Sequence, residues 1–174
     1  AHAAHALHMT SHIFFAMGMW DDAVTANEAS WEASRRRVEQ KRLGPASHGY
    51  HAYLWLSYAY LQQGRIGDAR KVVDHMGRLL EQAPVPVVAY HYAVGRAAWI
   101  IDAGEWDDVP PASPAIEKAS APGRAASLFA DGYAAARRQD FDTAGRMLAA
   151  VRALEQSAAA GESHHGMNML SPAE

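Results

Sequence analysis

One short pattern returns along the chain, and it constrains the fold more than any other feature. It is a glycine, any residue, a large apolar residue and then an acidic stretch. It reads Gly18-Met19-Trp20-Asp21-Asp22-Ala23, then Gly64-Arg65-Ile66-Gly67-Asp68-Ala69, then Gly104-Glu105-Trp106-Asp107-Asp108-Val109. A degenerate fourth copy is Gln139-Asp140-Phe141-Asp142-Thr143-Ala144, and successive copies stand 46, 40 and 35 residues apart. Each copy lies between two stretches with apolar residues at helical spacing, which makes it the bend of a repeated helical hairpin. Glycine ends the first helix because it tolerates the left-handed conformation of a C-terminal cap. The aromatic or Ile packs into the bend, and the aspartates complement the free N–H groups and dipole of the next helix. Small residues such as Ala23 and Ala69 allow the paired helices to approach closely.

The pattern predicts helices near 2–17, 20–42, 48–63, 66–82, 86–103, 122–138 and 141–159. They group into hairpins at 2–42, 48–82, 86–120 and 122–159. Pro110, Pro111 and Pro114 break the second half of the third hairpin. A repeat domain over 1–160 and a loose tail over 161–174 are expected. The chain has 174 residues, 49% hydrophobic and 20% charged, with 37 alanines, which fits one soluble globular domain of closely packed helices. It has no cysteine, which excludes disulfide scaffolds, thiolate metal sites and cysteine nucleophiles. A net charge of -3 gives no general attraction to nucleic acid or anionic lipid. No apolar run is long enough for a membrane span. The chain begins Ala1-His2-Ala3-Ala4-His5, without an initiator Met or a visible signal peptide. A fragment of a longer protein is the expectation, with a cytoplasmic location as the default.

Ten histidines stand out at this length. Each helical residue advances about 100°, so with His5 at zero, His12 falls near −20°, His8 near −60° and His2 near +60°. The first helix thus carries a histidine face. Leu7 and Phe14 lie opposite and are the expected core contacts. Counting back thirteen residues from Gly18, Gly64 and Gly104 gives His5, His51 and His91, a shared register on three hairpins.

The Gly-x-aromatic-x-x-Ala bends and the near-constant period resemble the tetratricopeptide repeat superfamily, over roughly residues 3–160. The early Trp usual in that family is replaced by Leu7, Tyr53 and Ala93, and the periods exceed the usual ~34 residues. His5-Ala6-Leu7-His8-Met9-Thr10-Ser11-His12-Ile13-Phe14 and Tyr58-Ala59-Tyr60-Leu61-Gln62-Gln63-Gly64-Arg65 look like segments of a group of functionally unassigned bacterial tetratricopeptide-like proteins. Thr10 stands where that group usually has Pro. The resemblance implies an all-α, right-handed stack of antiparallel helix hairpins, an α-solenoid. It also implies that the first helices line a concave groove containing His5, His8, His12, His51, Trp55, Tyr58, His91 and Asp102.

Two functions follow as expectations. One is a binding scaffold whose groove holds a peptide or protein segment, including a missing part of the parent chain. The other is a transition-metal site of His5, His8, His12 and His51, with His91 or Asp102 nearby. Spacings of three, four and seven residues put imidazoles on one helix face, and an adjacent first helix can bring His51 to them. Mostly imidazole ligands favour Zn or Cu. No phosphate-cradling Gly loop, nucleophile elbow or obvious general base is present, so no reaction is assigned. His75 is expected at a surface or between helices, and His164 and His165 in solvent. Arg35, Arg36, Arg37, Lys41 and Arg42 are expected to complement a helix C-terminus and to face water.

Overall fold

The structure is a computed structural model describing residues 2–168, with side chains over 4–157. Among the described residues the chain is all helical. The α-helices are α1 (His2–Ala16), α2 (Trp20–Gln40), α3 (Tyr50–Gln62), α4 (Ile66–Gln82), α5 (Pro86–Ala103), α6 (Ala121–Arg137) and α7 (Phe141–Asn168). Single 3-10 segments at Pro45–Ser47 and Pro114–Lys118 punctuate the connections. Each helix packs on the next, and α3 also lies against α5 and touches α1. α7 continues past residue 160, where the sequence reading ended the repeat domain, and residues 169–174 lie outside the described residues.

The recurring bends have the expected backbone. Gly18, Gly64 and Gly104 sit at φ 69°, 70° and 71°, the left-handed region. At the first bend Met19 N donates to Phe14 O at 2.8 Å and Gly18 N to Phe15 O at 3.2 Å. Arg65 N and Gly64 N repeat this with Tyr60 O and Leu61 O, both at 2.9 Å. These paired bonds satisfy carbonyls left over at a helix end. Asp21 and Asp22 occupy the first turn of α2, and Ala23 and Ala69 are fully buried where the hairpins close. Asp140 Oδ1 accepts from Thr143 N at 3.0 Å and so caps α7.

The core is built around α3, α4 and α5, with Tyr50, Leu56, Val73, Met76, Leu80, Tyr92, Trp99 and Ile100 buried together. The third hairpin has no second helix. Its place is taken by an extended stretch and the 3-10 segment, fastened by a buried arginine. Arg96 donates through Nε to Pro110 O at 2.7 Å and through Nη2 to Asp131 Oδ1 at 2.5 Å. That ion pair, with Arg96 buried and Asp131 partly exposed, ties α5, the proline stretch and α6 together.

One expectation about α1 is corrected. Leu7 is 40% exposed, whereas Phe14 packs partly buried against the core as expected, and His8 and Ser11 are buried. The face of α1 that meets its neighbours is Ala4, His8, Ser11 and Phe15. Backbone accommodation explains the choice. Ser30 Oγ on α2 donates to Ala4 O at 2.6 Å, and Ser11 Oγ donates to His8 O at 2.7 Å. Small polar side chains thus let α1 settle on α2 along a face that hydropathy alone would not select.

Candidate metal centre

α2 presents Ala23, Asn27, Ser30 and Ser34 to the interior at helical spacing, and all four are buried. The fully buried Asn27 is held in one orientation, because its Nδ2 donates to Ala23 O at 2.8 Å. Its Oδ1 therefore faces His8, whose Nδ1 stands 2.7 Å away. An amide oxygen only accepts, so His8 Nδ1 carries the proton and Nε2 keeps its lone pair. His8 is 2% exposed, and that Nε2 is buried without a hydrogen-bond partner. A buried acceptor with no donor is costly unless something else uses it.

Two more imidazoles surround His8. His12 follows one helical turn later on α1, and His51 stands in the first turn of α3. Ring centroids are 4.7 Å apart for His8–His12, 4.7 Å for His8–His51 and 6.2 Å for His12–His51. One ring nitrogen from each residue lies within 4.8 Å of the other two. Nitrogens on one ion, at bonds of ~2 Å, would stand closer, and side-chain movements of about 1 Å close the difference. His12 is half-buried and His51 exposed, so both have room for that movement.

The electrostatics favour the neutral form of His8 and His51. Burial pulls the His8 pKa below its usual value, and the neighbouring His12 and His5 push it the same way, against the Asn27 hydrogen bond. Partial desolvation by its neighbours lowers His51 too, with His8, His91, His12 and His5 adding to the shift. Neutral imidazole is the metal-binding form. Trp55 stands edge-on to His12 at 5.4 Å and to His51 at 6.2 Å, and Phe15 packs on Trp55 at 4.7 Å, an aromatic wall beside the three rings.

The structure brings together three of the four proposed ligands. His5 lies one turn back, its ring 6.3 Å from that of His8, and is not in the set. The shared register counted from the glycines placed His51 level with His5; in the structure His51 meets His8 and His12 instead. His91 donates from Nδ1 to Val87 O at 2.7 Å and packs against Tyr50 and Tyr90. Asp102 is exposed near the end of α5, with its carboxyl pKa pushed up by partial desolvation, and joins no such set. Trp55 and Tyr58, with Leu54, Val94 and Ala98, line an apolar cleft of about 270 Å³. His75 is half-buried between helices, with its Nδ1 2.9 Å from the Tyr53 hydroxyl. The side chains of His2, His164 and His165 lie outside the described residues.

Asn27 is the residue that sequence reasoning missed. The signal was the spacing of Ala23, Asn27, Ser30 and Ser34, a helix face of small and polar residues opposite the histidines. Compared with known protein families, with curated proteins and with solved structures, the chain finds no match.

Proposed function

We propose that the protein binds a divalent transition metal through His8, His12 and His51, on a tetratricopeptide-like stack of helix hairpins. The observation that carries this reading is the orphaned, buried Nε2 of His8, with its proton parked on the Asn27 side and two further imidazoles beside it. Metal-bound histidines characteristically give their other N–H to an acceptor that fixes the ring, and Asn27 has that role here. Three neutral nitrogens leave a fourth position open, and they favour Zn or Cu over hard, oxygen-preferring ions. The hairpin stack is supported by the repeated left-handed bends and by the contacts of α3 with α1 and α5.

The test is metal content of protein purified without a His tag. One ion per chain is expected, lost in His12→Ala and His51→Ala, neither of which removes a fully buried side chain. Equal metal content in the wild type and both variants defeats the assignment. A second reading rests on the apolar cleft between Leu54, Trp55, Tyr58, Val94 and Ala98, which would hold an apolar side chain of a bound peptide. No membrane partner is proposed: no helix among the described residues is long and apolar enough to cross a membrane.

A further inference from the structure

A cavity of about 200 Å³ shares two walls with the metal centre. It is lined by His5, His8, Ser34, Arg37, Gly49 and His51, with a few small neighbours and no carboxylate. Its ionisable groups are all basic, and Arg37 is the permanent cation among them. Gly49 N donates to Ser34 Oγ at 2.7 Å, which leaves the buried Ser34 its own hydroxyl proton to give. A Cβ at position 49 would meet Ser34 Oγ at 3.2 Å, so any larger residue crowds that approach.

Arg37 departs from the solvated role expected for its cluster. Arg35 and Arg36 are exposed and paired with Glu32. Arg37 is half-buried, makes one long contact from Nη1 to Ser47 O at 3.5 Å, and keeps a buried Nε without a partner. The start of α3 adds two further donors. No side chain caps it, and the Tyr50 and Tyr53 amides donate to His48 O and Gly49 O. The His51 and Ala52 amides are left without a partner among the described residues. A helix start with free amides attracts negative charge. The second wall is His8, 2% exposed with its Nε2 unpartnered.

We propose that this cavity receives a small oxyanion, a carboxylate or phosphoryl group held by Arg37, Ser34 and the start of α3. One of its oxygens takes the open position on the three-histidine centre. The proposal rests on the metal reading. Three neutral imidazoles bring no negative charge to a divalent ion, so an anionic fourth donor balances it better than water does.

Cobalt(II), whose visible spectrum reports its ligands, separates the two ideas. The Co²⁺-loaded protein is titrated with acetate and, separately, with methylphosphonate; the tighter of the two identifies the group. A saturable spectral change is expected. Arg37→Gln should weaken it about tenfold while leaving Co²⁺ affinity and helix content unchanged, because a charge-assisted donor is lost. Arg37→Lys should fall between, and Arg36→Gln should match the wild type. Bound Co²⁺ with no response to either anion, or an equal response in Arg37→Gln, overturns the oxyanion site and leaves the metal centre standing. Failure to bind Co²⁺ at all overturns the metal centre, and this proposal with it.

Discussion

Asn27 decides which His8 nitrogen is available, and it does so through a bond to its own helix. Replacing it with leucine removes the acceptor for His8 Nδ1 in a dry site. The expected cost is about 1–3 kcal/mol in urea unfolding. A loss of roughly 10- to 100-fold in metal affinity should accompany it, because the ring is no longer held in one tautomer. Asn27→Asp keeps an acceptor for His8 but sets its other oxygen against Ala23 O, so metal binding should survive there at a cost in stability. Unchanged stability and metal affinity in Asn27→Leu would show that the His8–Asn27 bond orients nothing. The histidines themselves were legible in the sequence, because three- and four-residue spacing on a helix fixes a shared face. Their pairing with α3 was not. Counting from the bend glycines sets every hairpin level, yet the His51 ring reaches His8 and His12 rather than His5. The relative offset of α1 and α3 depends on how α1 seats on α2, where Ser30 bonds Ala4 O and Asn27 bonds His8, and on the connection at 41–49, neither of which the bend pattern encodes.

The bends themselves were the most legible elements, and their fourth copy is the informative one. Gln139 holds φ 64° in the place that glycine occupies at Gly18, Gly64 and Gly104. Its backbone bonds match those bends, with Gln139 N to Ala136 O at 3.0 Å and Asp140 N to Ala135 O at 2.9 Å. The conformation is therefore dictated by the helix end and not by the residue that fills it. A side chain in the left-handed region costs about 1–2 kcal/mol, so Gln139→Gly should stabilise the protein, by somewhat less because glycine is freer when unfolded. Gly64→Ala should destabilise it by a similar amount, since open space surrounds the added Cβ and only the backbone resists. Thermal melts of the two variants should move in opposite directions; movement in the same direction would mean that the bends are not equivalent. The proline stretch was legible only as a broken helix. Its anchor, Arg96, reads in sequence as one cation on an otherwise apolar helix, and nothing local announces that Pro110 O and Asp131 will meet it.

For the molecule as a whole, five histidines on two sides of α3 are held below their ordinary pKa, and this sets how the fold responds to acid. At and beside the three-histidine cluster, His8, His51 and His91 are lowered chiefly by desolvation. On another face, His48 and His75 flank the indole of Trp31, with ring separations of 5.0 Å and 5.9 Å. His48 is lowered by burial, then by His75 and Arg35; His75 is lowered by burial, then by Arg78. No carboxylate contributes to either shift, although Glu28 and Glu32 border Trp31 on the same side. The sign follows from proton uptake. Unfolded histidines titrate near 6.5, and the folded ones lower, so between those values the unfolded chain binds more protons. Stability is therefore complete above about pH 6.5 and declines as pH falls towards the lowered folded values. Melting of the metal-free protein should show a plateau above neutrality and a falling midpoint below it. His75→Gln should flatten part of that slope, since Gln retains a partner for the Tyr53 hydroxyl but does not titrate. Metal should raise the plateau and steepen the fall, because protons and the ion compete for the same nitrogens on His8, His12 and His51. A melting midpoint that rises on acidification from pH 7 to 5 would contradict the assignment of these rings as neutral in the fold. A metal-induced increment of equal size at both pH values would contradict imidazole ligation.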